Sequence, residues 1–182
     1  MQVFSRSRFV VAEKIDDKTL RVVSNQVDTF HELRVTLEID VPGRLITHAE
    51  AEFMRLPYSM CADVTGRVSK LAGVSLEGGV HHTLRDALGG PGGCLHLHDT
   101  TLEAIKAVFQ AEAAFVPPAI APGDFQEMIH KLYGGTCYAH SHSVEEKTAA
   151  MCYLPTLYAH WLAPGRPTQA RSPGALSRGP GR

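Results

Sequence analysis

The sequence predicts an α+β fold, an antiparallel β-meander of three to four strands covered on one face by helices. Three observations carry that prediction. Residues 8–54 read as β-strands, with period-two alternation of apolar and polar side chains over 32–40 and 48–53. Short polar turns separate these runs, and short turns join antiparallel neighbours. From Pro57 onward the apolar spacing becomes helical, punctuated by glycine and proline.

The first two strands are Arg8-Phe9-Val10-Val11-Ala12 and Thr19-Leu20-Arg21-Val22-Val23, flanking the turn Asp16-Asp17-Lys18. In the third, Leu33, Val35, Leu37 and Ile39 alternate with Glu32, Arg34, Thr36, Glu38 and Asp40, so one face is wet. Val41-Pro42-Gly43-Arg44 reads as a turn. Ala49, Ala51 and Phe53 then alternate with His48, Glu50 and Glu52.

The helical half supplies the cover. Ser59 is placed to cap a helix whose Met60, Val64, Val68 and Leu71 form one stripe, ended by Gly73. A short helix spans His82–Leu88. Thr100 and Glu103 match a capping box, so a helix is expected from Thr100 with Leu102, Ile105, Phe109 and Ala113 on one face. Phe115-Val116-Pro117-Pro118 stops it. Pro122 and Asp124 open a helix over Phe125–Leu132, closed by Gly134-Gly135. A last helix runs from about Val144 to Trp161, with Pro155 expected to kink it. The organisation expected is one domain over 1–163 and a disordered, basic Pro/Gly-rich tail over 164–182.

Composition bounds the function. The chain has 182 residues and a formal net charge of -1, which gives no electrostatic footprint for nucleic acid or anionic membrane. No apolar run is long enough to span a bilayer, and residues 1–6 lack the apolar core of a secretory signal. The expectation is a cytoplasmic protein acting on a small molecule. Its four cysteines, Cys61, Cys94, Cys137 and Cys152, then stay reduced, so metal binding or catalysis outranks disulfides.

Gly89-Gly90-Pro91-Gly92-Gly93-Cys94-Leu95-His96-Leu97-His98 is the run that points to chemistry. Its glycines make a turn whose backbone can approach another group closely, and it delivers one thiol and two imidazoles just before, or at, a helix start. His31 opens the third strand, and Cys61 lies in the first turn of the helix after the fourth. In an antiparallel meander those positions share one end of the sheet. If the Cys94 turn packs there too, His31, Cys61, Cys94 and His96 form a ligand set suited to zinc or iron. Alternatively, each cysteine is a small core hydrophobe, His31 a surface residue and His98 a solvent-facing neighbour. Cys94 as a nucleophile with His96 as base also remains a candidate, and His98 is a further catalytic candidate. Cys137, His140 and His142 form a second spacing able to chelate, or an exposed polar loop.

At these residues the chain resembles a bacterial family of unknown function. That family has a His opening a strand, a Cys after the next strand and a Gly-Cys-x-His-Leu stretch before a helix, here His31, Cys61 and Gly93 to Leu97. The order also looks like the IscU/NifU-type iron–sulfur scaffold, which implies a meander with one convergent ligand site. His31 stands where the scaffold has Cys, and Cys94-x-His96 replaces its His-Cys pair. That departure suits a retained metal more than a cluster built on three thiolates.

Three functions follow as expectations. The first is a zinc- or iron-binding enzyme of small-molecule or secondary metabolism, performing hydrolysis, hydration or isomerisation. The second is an iron–sulfur cluster scaffold or carrier. The third is a metal-free binding protein or cofactorless enzyme using Cys94 and the histidines as polar lining or acid–base groups.

Overall fold

The computed structural model describes residues 1–112 and 122–150. Strands β1 (Arg6–Lys14), β2 (Thr19–Asp28), β3 (Glu32–Asp40) and β4 (Leu45–Arg55) form one antiparallel sheet in the order β1-β2-β3-β4. The α+β meander expected from the alternation is present, with four strands.

The register fixes what lies at each end. Arg6 pairs with Asp28, Val27 with Glu32, and Glu32 with Arg55, so these residues share one end. Lys14, Thr19, Asp40 and Leu45 mark the other. One face buries Leu20, Val22, Leu33, Val35, Leu37, Ile39, Ile46 and Ala49. The same core includes Val68 and Leu71, then Leu97, Ala104, Ile105 and Val108 from the helical half.

The segment after β4 differs from the sequence expectation. Ser59–Leu71 is a 3-10 helix, Tyr58 occupies the cap position without a side-chain cap bond, and Met60 is exposed. Two side chains suit that tighter winding. The Thr65 hydroxyl donates to Ala62 O and the Ser69 hydroxyl to Gly66 O, each three residues back. Val68 and Leu71, also three apart, still reach the core.

Helix α1 (Val80–Leu88) buries Val80, Leu84 and Leu88, spaced four apart on one face. Helix α2 covers Leu95–Ala111, five residues earlier than the Thr100 capping box predicts. Thr100 and Thr101 are buried inside the helix, and their hydroxyls donate to His96 O and Leu97 O, each at 2.7 Å. They satisfy themselves on the preceding turn, so no cap is needed there. The glycine turn makes the early start possible. Gly90 has φ +70°, Cys94 N–H donates to Leu88 O at 2.8 Å, and a Cβ at Gly93 would strike that same carbonyl. The close approach expected of this turn is made to the last turn of α1. At the far end of α2, Arg44 grips the Glu112 carboxylate through both oxygens.

The described residues fall into two units, one within Met1–Val116 and one within Pro117–Arg182. The second unit contains α3 (Pro122–Tyr133), a 3-10 turn at Ala139–Ser141 and α4 (Val144–Ala149). Ser143 and Glu146 form a capping box at the start of α4. The expected helix stop at 115–118, the kink at Pro155, the end of the last helix and the tail over 164–182 lie outside the described residues.

Candidate metal centre

The site grows out of the β2–β3 turn. Asp28 ends β2, and its Oδ1 accepts the backbone N–H groups of Phe30 and His31, both at 2.8 Å. This carboxylate-capped turn also brings the His31 ring back, placing Nδ1 3.1 Å from Oδ1. Oδ2 accepts from the Arg6 guanidinium at 3.0 Å and from the Gln26 amide at 3.1 Å. The Asp28 side chain is fully buried.

Burial opposes ionisation of that carboxyl. The donors from Phe30, His31 and Arg6 outweigh it and hold Asp28 well below the usual carboxylate range. Asp28 is therefore ionised, and it faces His31 Nδ1 as an acceptor. In a neutral His31 ring that contact places the hydrogen on Nδ1 and the lone pair on Nε2.

His96, in the first turn of α2, supplies the second imidazole. Its ring stacks on His31 with centroids 3.8 Å apart and planes 30° from parallel. Burial lowers its pKa first. The nearby His31 and Arg6 then act in the same direction, so the neutral ring is favoured. Ligand atoms of Asp28, His31 and His96 all lie within 4.8 Å of one another.

A polar network supports this group. Arg8 donates to Gln26 Oε1 at 2.7 Å and to Asp99 Oδ2 at 3.1 Å. His98 Nδ1 lies 3.3 Å from Asp99 Oδ1. Burial works against the Asp99 carboxylate, but His98 and Arg8 override it and lower its pKa. His98 thus belongs to the network through Asp99 and is not a member of the ligand group.

The structure brings together two of the four expected metal ligands, His31 and His96. Among the described residues, the group able to hold a metal contains neither Cys61 nor Cys94. Cys94 takes the cap position of α2 and packs against the hydrophobic core. Cys61 is half-buried in the 3-10 helix, with its N–H on Tyr58 O. Cys137, His140 and His142 form no such group either, and His142 Nδ1 donates to Tyr138 O at 2.9 Å.

Asp28 is the residue that sequence reasoning missed. A signal was present, because Ser24, Gln26 and Asp28 are polar at the inward positions of β2, where apolar residues belong.

The group offers two imidazoles with a carboxylate behind one of them, the carboxylate–histidine arrangement found around metal ligands. Asp28 already accepts from several donors on both oxygens, so its role is the outer one, orienting His31. His31 and His96 are the residues that would hold a zinc or iron ion here.

Fold and site together define a class: an α+β domain with a His-His-Asp cluster at one end of an antiparallel meander. The chain belongs to the family described as "Protein of unknown function (DUF2889)", whose model matches residues 9–110. That span runs from β1 to nearly the end of α2 and includes Asp28, His31 and His96. No curated protein and no solved structure compared with the chain matches it. Among the described residues no helix is long and apolar enough to cross a membrane.

Proposed function

We propose that the protein holds one zinc or iron ion through His31 and His96 and acts on a small molecule at that ion. The observation that carries this reading is the contact between the buried Asp28 carboxylate and His31 Nδ1, beside a stacked His96. A carboxylate behind an imidazole fixes its tautomer and raises its basicity as a ligand. A bound ion supplies Lewis acidity, the chemistry of hydrolysis, hydration or isomerisation. The chain's own residues orient the two rings, keep His96 neutral and hold a hydrogen on His31 Nδ1.

Elemental analysis of tag-free protein tests the reading. Wild type is expected to carry close to one equivalent of zinc or iron, and His31→Ala and His96→Ala to lose it. Unchanged metal content in both variants ends the proposal.

A second reading is favoured by the same carboxylate. With Asp28 occupied by its donors, His31 and Asp28 also match a metal-free acid–base dyad with Nε2 as the base. Full ligand binding after exhaustive chelation supports that reading. The iron–sulfur alternative needs thiolates, and the cluster contains none. A brown, anaerobically prepared protein with visible charge-transfer absorption would restore it.

A further inference from the structure

The exposed apolar side chains are unevenly placed. Phe30, directly before His31, is 57% exposed, and Leu95, directly before His96, is 70% exposed. Phe4 is 47% exposed, and the Arg6 guanidinium that pairs with Asp28 lies 5.3 Å from its ring centroid. At the opposite end of the sheet, Ile15 is the one large apolar side chain exposed among the described residues. Single exposed apolar residues are ordinary, but here one directly precedes each histidine and a third packs on the Arg6 that holds Asp28, the pattern of a binding surface.

The charges around the cluster cancel. Arg6 faces Asp28 at 3.0 Å and Arg8 faces Asp99 at 3.1 Å. Imidazoles bind a metal only as neutral rings, so His31 and His96 bring no negative charge to an ion. A divalent ion held by two imidazoles therefore keeps its whole charge, which a bound anion would compensate. Both guanidiniums are engaged by carboxylates, so neither is the free fork that phosphate recognition uses.

We infer that the ligand taken at this site is an organic carboxylate with an apolar body, its carboxylate beside His31 and His96 and its carbon skeleton against Phe30, Leu95 and Phe4. This rests on the metal reading above.

Cobalt(II)-loaded protein tests it through visible absorption and titration calorimetry, with acetate, hexanoate and inorganic phosphate as probes. Hexanoate is expected to perturb the cobalt spectrum and to bind at least about tenfold more tightly than acetate, since each buried methylene adds affinity. Phe30→Ser and Leu95→Ser, both at exposed positions, are expected to take up cobalt normally and to flatten that preference. Cobalt uptake with a spectrum indifferent to hexanoate overturns this inference alone. So does tighter binding of phosphate than of hexanoate, or a preference for hexanoate unchanged in both variants. Failure of wild-type protein to take up cobalt overturns the metal reading, and this inference with it.

Discussion

The two ends of the sheet use the same device for different purposes. At one end, Asp16 Oδ1 accepts the N–H groups of Lys18 and Thr19, both at 2.8 Å. At the other, Asp28 Oδ1 accepts those of Phe30 and His31, also at 2.8 Å. Both carboxyls have lowered pKa values, and both take two backbone donors. Asp16 is exposed and does nothing more than close a turn. Asp28 is buried and also receives the His31 ring, Arg6 and Gln26. An ordinary turn closure, once buried and given more donors, becomes an anchor for an imidazole. Burial of the Asp separates a turn from a candidate site.

The sharpest way to break the comparison is Asp28→Ala. It removes a buried ionised partner and leaves Arg6 and two turn amides unmatched, so urea unfolding should show a loss of about 3 kcal/mol. A loss no larger than that of Asp16→Ala would erase the distinction between the two turns. Next in size is Gly93→Ala, which drives a Cβ into the Leu88 carbonyl at the junction that sets the start of α2. It should cost about 2 kcal/mol, read in the same way.

Acid sensitivity sharpens the comparison further. The folded-state pKa of Asp28 is depressed, so its stabilisation is fully present above the unfolded carboxyl value of about 4. It is lost as pH falls toward the folded value. Wild type should therefore lose stability progressively below about pH 4, and Asp28→Asn should show a shallower acid limb in thermal melts. The smallest effect belongs to Asp16→Ala, a slight lowering of melting temperature with metal content unchanged.

The contrast also explains what was legible in the sequence. The β3 alternation of Leu33, Val35, Leu37 and Ile39 fixed the sheet face, and the position of His31 fixed an end. The Gly89–Gly93 turn correctly marked where His96 enters. Asp28 escaped because Ser24, Asn25 and Gln26 interrupt the apolar pattern of β2, so the strand reads as ending at Val23. The start of α2 escaped because Thr100 and Glu103 imitate a cap, although Thr100 bonds back within the helix. Periodicity reports which face is buried. It does not report which polar side chain a register brings under another, and Arg6 meets Asp28, and Arg8 meets Gln26, only through the register of β1 with β2.

X-ray absorption of the purified protein at the zinc and iron edges tests the central claim, the proposed metal site, most directly. The account predicts a first shell of nitrogen and oxygen at about 2.0–2.2 Å with imidazole outer-shell scattering and no sulfur. A sulfur shell at about 2.3 Å would bring Cys61 or Cys94 into the coordination sphere and contradict it.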